Sequence, residues 1–263
     1  MKKTKKTKAQ KKLEKKIKEK KKLKALLTDK EENQSPAFTT TGELFQPVRI
    51  HYAVTNRDHL VLCFEKLKCI DHDAAEKRWV WLYTEESENL DFESRPEGEG
   101  SVVLGEFIFK ENQEAVLNLR SVERALSAIE FFDRHIPKSA FKATDMSAFN
   151  RLFTFGEAAS ISSLDQFFER NDPVVKDPNK IVQELTAIKA GIDDEKEQIE
   201  AVSDFLEELS EKKDPEIEKF PLNYYEDGIA PLRMALITRQ KVAFQHWQGN
   251  TGYTSTDAIR EWT

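Results

Sequence analysis

The charge of the first 34 residues is the feature that most constrains how this chain can fold. They carry fifteen lysines and five acidic residues, a net charge of +10. The sparse apolar side chains are spaced only loosely like those of a helix: Leu13, Ile17, Leu23 and Leu27. Dense like charge and so little apolar surface cannot offset the conformational entropy lost on folding. We therefore predict a disordered tail over residues 1–34 and a core drawn from the rest of the chain.

The rest of the chain is acidic. Residues 35–154 carry a net charge of −6, and residues 155–263 carry a net charge of −10. A cationic tail on an anionic body predicts partners of both signs, a polyanion for the tail and a basic protein for the acidic half. Because the acidic half also attracts the lysines, we expect the tail to fold back onto residues 155–263 at low salt.

The tail favours contact with nucleic acid or a ribonucleoprotein. Lysines neutralise phosphates and release counterions, so such binding weakens steeply with salt. Residues 1–34 contain no arginine and no aromatic residue, so base-specific contacts and stacking are not available and the contact should be non-specific. The candidate contact residues are Lys2, Lys3, Lys5, Lys6, Lys8, Lys11, Lys12, Lys15 and Lys16. The alternatives are a purely solubilising tail and weak electrostatic contact with an anionic membrane surface.

The sequence favours a reducing compartment. It has no run of about 18 apolar residues, so we expect no membrane span. Its lysine-rich start lacks the apolar run of a secretory signal. Cys63 and Cys69 are the two cysteines, too few for a disulfide scaffold. We expect a cytoplasmic protein, and in a nucleated cell the lysines could serve as a nuclear address.

Residues 48–154 predict an α+β domain that follows a linker over residues 35–47. The predicted strands, read from alternating or continuous apolar runs, are 48–54, 78–83, 101–109 and 115–119, followed by a final strand or pair of strands over 141–153. Asn56 and Ser121 are typical N-caps of two helices. Because strands cluster between the helices, we predict a mixed or antiparallel sheet of about five strands with two helices.

Residues 155–263 predict a small acidic helical subdomain. Asp177 and Pro178 are typical of a helix start. Three apolar stripes with helical spacing follow: Ile181, Leu185 and Ile188; Ile199, Val202, Phe205, Leu206 and Leu209; Ile229, Leu232, Leu236, Ala243 and Trp247. The acidic run 193–218 lacks the spacing of an EF-hand loop. We interpret it as a solvated helix face that can also meet a basic partner.

The segment HWQGNTGYT, residues 246–254, indicates a turn between two helices. Gly249 is well placed to end the first helix in the left-handed conformation. Thr254 or Ser255 can cap the helix that follows. A phosphate-binding loop is the less favoured alternative, since no lysine follows Gly252 as a Walker loop requires.

One alternative places a polar pocket near the end of the chain. It would combine His246 and Trp247 with Glu226 and Asp227, with His246 as a general base. His51 alternates with the apolar residues of its strand and is predicted to face solvent. No common hydrolase, metalloprotease or dinucleotide-binding motif is present, and no catalytic residue is assigned.

Metals and cofactors are not predicted. Cys63, Cys69 and His72 do not have the spacing of a common zinc site. Trp79 and Trp81 share a strand face, where core packing is favoured over a platform for stacking bases. The leading hypothesis is a non-catalytic protein that contacts nucleic acid or ribonucleoprotein through its tail. The alternatives are a protein–protein adaptor using the acidic helices and an enzyme with a site between sheet and helices.

Overall fold

The computed structural model describes residues 35–83, 101–111, 113–212 and 214–261. Its centre is an eight-stranded sheet in the order β2-β3-β4-β5-β1-β6-β8-β7. The strands are β1 (Val48–Val54), β2 (Ile70–Asp73), β3 (Arg78–Tyr83), β4 (Val102–Phe109), β5 (Glu114–Leu119), β6 (Phe141–Phe149), β7 (Val174–Val175) and β8 (Ile217–Pro221). All neighbouring strands are antiparallel except β7 and β8, which are parallel. The predicted tail over residues 1–34 lies outside this range.

Nine helices lie in the part of the chain that the structure describes. They are α1 (Arg57–Phe64), α2 (Val122–His135), α3 (Phe155–Ser160), α4 (Leu164–Arg170), α5 (Pro178–Ala190), α6 (Glu195–Glu211), α7 (Tyr224–Asp227), α8 (Ile229–Trp247) and α9 (Ser255–Arg260). Asn56, Ser121 and Asp177 cap α1, α2 and α5 through their side chains, as predicted. Each accepts a hydrogen bond from a backbone N–H that the first helical turn leaves free.

The predicted α+β class is confirmed, but the predicted strand and helix counts are wrong. The sheet has eight strands instead of about five, and β7 and β8 come from the half predicted to be helical. The missed strands lie at the edges of the sheet, except β8, which is next to one edge. β7 has two residues, and charged residues interrupt β2 and β8, so none of the three shows the apolar alternation that identifies a strand. The division into domains at residue 154 remains a prediction.

The apolar residues of β1 explain where the main core lies. Val48, Ile50 and Tyr52 alternate along this central strand and are buried beneath α1, α2 and α8. Trp79 and Trp81 are buried in the same cluster, 7% and 0% exposed, which confirms core packing over a base-stacking platform. Large aromatic side chains bury much apolar area, so this face supplies most of the hydrophobic stabilisation.

The opposite face of the sheet is polar and partly covered by α4. The guanidinium of Arg49 on β1 contacts the Asp165 carboxylate at 2.8 Å. Lys110 at the end of β4 contacts Asp165 at 2.9 Å and Glu169 at 2.7 Å. The Arg49 guanidinium also lies over the ring of Phe168, 4.7 Å from its centroid. Charge pairing and the burial of Leu164 and Phe168 therefore position α4 together on this face.

Residues 35–47, predicted as a linker, are packed against the body. Ala37 and Phe45 are buried with Phe153 in a second apolar cluster, and Leu44 is buried in a third. The backbone N–H of Ala37 donates to the carbonyl oxygen of Phe153 at 2.7 Å. Residues 35–47 are therefore part of the folded body, and Ser35, which follows the tail in sequence, is held at its surface.

A buried ion pair holds this segment on α2. Arg124 and Glu43 are each almost fully enclosed, and the Arg124 Nε lies 3.4 Å from the Glu43 carboxylate. Arg124 also donates to the Thr41 hydroxyl at 2.8 Å and to the Val103 carbonyl at 3.0 Å. Thr41 in turn donates to Glu43 at 2.6 Å. These bonds satisfy both buried charges, as burial requires.

Replacing Arg124 should destabilise the protein strongly. Arg124→Met leaves the Glu43 carboxylate buried without its cation, and we expect a loss of about 3–5 kcal/mol in the free energy of unfolding. Arg134→Met, on the exposed side of the same helix, should change it by less than about 0.5 kcal/mol. Urea unfolding measures both. Equal effects of the two substitutions would contradict the role given to the buried pair.

Candidate functional site

The first half of the candidate site is helix α5. Asp177 accepts a hydrogen bond from the Asn179 backbone N–H at 2.9 Å, and Pro178 occupies the first turn. Proline fits there because its missing N–H would have had no partner in the helix. Gly191 ends the helix, where its N–H donates to the carbonyl oxygen of Ala187 at 3.2 Å. The predicted helix start is therefore confirmed.

A short turn then leads into α6. The Asp194 side chain accepts from the backbone N–H groups of Lys196 and Glu197, at 2.9 and 3.1 Å. Gln198 donates to the carbonyl oxygen of Ile192 at 2.6 Å, which ties the turn to the helix. Acidic residues in the first turn of α6 also suit the positive end of the helix dipole. Residues 178–211 thus form a helical hairpin, the α5–α6 hairpin.

The α5–α6 hairpin is weakly attached to the rest of the fold. Each of its helices packs chiefly against the other. The five larger apolar side chains that its two helices half-bury are Leu185, Ile188, Val202, Phe205 and Leu209. Wherever burial is described in the two helices, no residue is fully buried. The hairpin therefore contributes little to the core and presents most of its surface to solvent.

The exposed surface of the hairpin combines aliphatic and acidic side chains. Ile181, Val182, Ile199 and Leu206 are exposed, with Ile199 reaching 64%. Ile199 and Leu206 are seven residues apart, so they form one ridge about 10 Å long, the α6 ridge. By helical geometry this ridge lies about 75° around α6 from the half-buried residues that face α5. The sequence pattern predicted Ile199 and Leu206 in one packing stripe with Val202, Phe205 and Leu209.

The α5–α6 hairpin is strongly acidic. Residues 178–211 include ten acidic and three basic residues, a net charge of −7. The exposed side chains of Glu184, Glu197, Glu200, Asp204 and Glu208 form no ion pair with another described residue. A hairpin with unpaired carboxylates and an exposed aliphatic ridge matches a partner that offers both cations and apolar side chains.

The base of the hairpin is clamped at the edge of the sheet. Strands β7 and β8 bracket the hairpin in sequence and pair in parallel, with Val174 opposite Glu218. The Lys176 ammonium lies 2.9 Å from the Asp214 carboxylate and 2.9 Å from the Glu218 carboxylate. Asp214 also accepts from the Ser255 hydroxyl at 2.7 Å. The two ends of the hairpin are therefore held together although its helices are exposed.

Glu218 is the buried centre of this clamp. Its carboxylate pairs with Arg239 of α8 and accepts from the Asn150 amide at 3.0 Å. Burial alone would raise the pKa of Glu218, but the charges of Arg239 and Lys176 outweigh it and lower the pKa. The predicted acidic helix face over 193–218 therefore ends before Glu218, which is enclosed on a strand.

The predicted turn at HWQGNTGYT is confirmed. Gly249 has a φ of 96°, in the left-handed region that favours glycine. Thr254 caps α9 and forms a capping box with Asp257. His246 Nε2 donates to the carbonyl oxygen of Tyr253 at 2.7 Å, since a carbonyl can only accept. Local hydrogen bonds therefore hold both ends of the turn.

The structure does not bring the predicted pocket residues together. His246 and Trp247 lie at the end of α8, where Trp247 packs against an apolar cluster. Glu226 and Asp227 lie just before the start of α8 and are exposed, and Glu226 faces Lys142 at 3.9 Å. The length of α8 separates the two pairs by about 28 Å. The nine candidate lysines of the tail lie outside the range that the structure describes.

A polar trio on the open sheet face was missed by the sequence pattern. His51 Nδ1 lies 2.7 Å from the Glu114 carboxylate, and Nε2 lies 3.0 Å from the Ser147 hydroxyl oxygen. The residues occupy β1, β5 and β6, three adjacent strands. His51 lies opposite the apolar face as predicted, but its side chain is only 12% exposed, so the prediction that it faces solvent is wrong.

The trio has the hydrogen bonding of a serine–histidine–carboxylate relay without access for a substrate. Burial lowers the pKa of His51, outweighing the hydrogen bond to the Glu114 carboxylate that raises it. A neutral imidazole then donates to Glu114 and accepts from the Ser147 hydroxyl. Ser147 is 1% exposed, so its hydroxyl cannot meet a carbonyl carbon. We assign the trio a structural role.

The described residues show neither a cluster of metal ligands nor a membrane-spanning helix. Across residues 35–83, 101–111, 113–212 and 214–261, no three His, Cys, Asp or Glu side chains form a group that could hold a metal ion. The His72 ring instead stacks on Trp79, with 4.4 Å between ring centroids. Within the same residues, none of the helices has both the length and the apolar character needed to cross a lipid bilayer.

The chain matches no protein-family model, and comparisons with curated proteins and with solved structures also gave no match. Its own surfaces and charges are therefore the basis for assigning a function. Among them, the α5–α6 hairpin combines exposure, unpaired charge and apolar side chains, which the polar trio and the HWQGNTGYT turn do not.

The lowered pKa of His51 predicts a pH dependence of stability. Because the unfolded chain binds the His51 proton more readily than the folded one, stability is complete above the ordinary histidine pKa and falls as pH drops from about 7 to about 5. In His51→Gln, the free energy of unfolding should depend less on pH across this window. Urea unfolding at a series of pH values measures the slope. Identical slopes for the two proteins would contradict a neutral, buried His51.

Proposed function

We propose that this is a non-catalytic binding protein whose α5–α6 hairpin takes a cationic amphipathic segment of a protein partner. One observation carries the proposal: a hairpin of net charge −7 exposes four aliphatic side chains and has no fully buried side chain where burial is described. Packing in the hydrophobic core does not account for the apolar side chains of this hairpin. Its composition is that of a surface which gains from being covered.

The physical form of the contact follows from the α6 ridge. A helical partner can lay one apolar face along Ile199 and Leu206, as amphipathic helices do in apolar grooves. Glu195 and Glu200 flank the ridge on either side by helical geometry. Their carboxylates favour a partner with lysines or arginines beside its apolar face, and they speed its association at low salt.

Removing the α6 ridge should weaken binding without unfolding the protein. The probe is a synthetic helical peptide with one leucine stripe and lysines elsewhere. Because each aliphatic side chain contributes on the order of 1 kcal/mol when it is covered, Ile199→Ser with Leu206→Ser should lower the affinity about tenfold or more. Isothermal titration calorimetry measures the affinity, and a negative heat-capacity change should accompany binding.

A matched pair of exposed side chains provides the control. Met234 and Ile237 lie on α8 and are 51% and 40% exposed. Met234→Ser with Ile237→Ser should leave the peptide affinity unchanged. Both double variants should keep the free energy of unfolding within about 1 kcal/mol of the parent, since surface substitutions are mild. Equal peptide affinities for the two variants would rule out the hairpin as the binding surface.

The charge of residues 1–34 favours a second function, non-specific contact with nucleic acid or ribonucleoprotein. The tail carries a net charge of +10. Residues 35–154 carry a net charge of −6, and residues 155–263 carry a net charge of −10. Polyanion binding can therefore depend only on the tail, since the body repels phosphates. Lysine without arginine or aromatic residues suits contact with the phosphate backbone.

A salt series tests the second function. Binding to random duplex DNA and to structured RNA should weaken from about 50 mM to about 200 mM salt, with a logarithmic slope of about −0.9 per duplex phosphate neutralised. A chain beginning at Ser35 should lose the binding. Affinity that the shortened chain retains would contradict tail-mediated contact and would locate the site in the body.

A further inference from the structure

We propose that the chain's own tail, residues 1–34, is the segment that occupies the α6 ridge. The inference rests on the proposed function of the α5–α6 hairpin and names its partner. Attraction between the tail and the acidic half is expected from their charges, and we assign it to one surface, the α6 ridge. Three observations support this choice: the charges of the two segments, the spacing of the apolar residues in the tail, and the point where the tail joins the body.

The charges of the two segments are opposite and of similar size. The tail carries a net charge of +10 and the hairpin a net charge of −7. Several exposed carboxylates of the hairpin have no cationic partner among the described residues, including those of Glu195 and Glu200 beside the α6 ridge. Neutralising them lowers the repulsion within the hairpin and releases counterions from both segments.

The apolar residues of the tail also match the ridge. Leu13 and Ile17 are four residues apart, as are Leu23 and Leu27. Residues four apart share one face of a helix, and lysine, glutamate and leucine are good helix formers. A helix formed on contact would therefore present aliphatic side chains to the α6 ridge while its lysines reach the carboxylates beside it.

The tail begins close enough to reach the hairpin. Ala37 and Phe45 pack in one cluster with Leu164 and Phe168 of α4. Seven residues separate the end of α4 from the start of α5, a span of at most about 25 Å. A chain of 34 residues can extend about 110 Å, far beyond the roughly 25 Å length of α6. Length therefore does not prevent the tail from lying along the hairpin.

While the tail occupies the α6 ridge, it blocks both proposed functions. A polyanion that captures the lysines removes the tail from the hairpin and uncovers the α6 ridge. The ridge then becomes accessible to a second cationic segment. The tail therefore couples nucleic-acid binding to protein binding, because it competes with both ligands. Each ligand should bind more weakly to the full chain than to the tail alone or to the body without its tail.

Zero-length crosslinking of the full chain tests this inference. A water-soluble carbodiimide joins a lysine to a carboxylate that it touches, and mass spectrometry locates the joined residues. At low salt, links from the tail to Glu195 and Glu200, which flank the α6 ridge, should exceed links to Glu197 and Asp204 on the far side of α6. They should also exceed links to Asp58 and Glu65, which are exposed elsewhere. Ile199→Ser with Leu206→Ser should lower the hairpin links about tenfold, because the apolar contact is lost. Met234→Ser with Ile237→Ser should leave them unchanged, and duplex DNA should suppress them.

Other outcomes overturn the inference. Links spread evenly over all exposed carboxylates would mean that charge alone attracts the tail. A mixture of unlabelled and nitrogen-15 chains whose hairpin links join labelled to unlabelled peptides would identify a second copy's tail as the occupant. If tail links are absent while the synthetic leucine–lysine peptide links to the hairpin, only this inference fails. If neither links to the hairpin, the proposed function fails as well.

Discussion

The ion pairs of the buried Glu218 carboxylate hold together the edge of the sheet, helix α8 and the base of the α5–α6 hairpin. Glu218 lies on β8 and is neutralised by Arg239 from α8 and by Lys176 from the chain that leaves β7. A buried charge without partners is strongly destabilising, so these elements must assemble together. Because Lys176 and Asp214 bound the hairpin on either side, the same network fixes where the hairpin emerges.

The hydrophobic core and the proposed binding surface lie in different parts of the chain. The sheet, α2 and α8 bury the aromatic and aliphatic core, whereas the α5–α6 hairpin leaves Ile199 and Leu206 in solvent. Loosely packed elements open at low free energy and are the ones that a partner can order. The negative charge concentrated there makes a cationic partner the natural one, and the chain carries such a segment at its own start.

Sequence patterns predicted the parts of the fold in which local and tertiary preferences agree. The alternation of Val48, Ile50 and Tyr52 and the caps at Ser121 and Asp177 are local signals, and they were sufficient. Strand β8 was missed because Glu218 and Lys219 interrupt its apolar pattern, and only tertiary contact shows that Glu218 is neutralised. The exposure of the α6 ridge was missed for a similar reason. Ile199 and Leu206 have helical spacing, but their offset from Val202 and Phe205 matters only once α5 covers one face of α6.

Amide hydrogen exchange of the α5–α6 hairpin is the measurement that tests this account most directly. The full chain is compared at low salt with a chain beginning at Ser35. If the tail occupies the α6 ridge, amides of residues 178–211 exchange more slowly in the full chain, because a bound segment stabilises the closed helices. Adding duplex DNA should then restore the faster exchange. Equal exchange in the two chains, with and without DNA, would contradict the account.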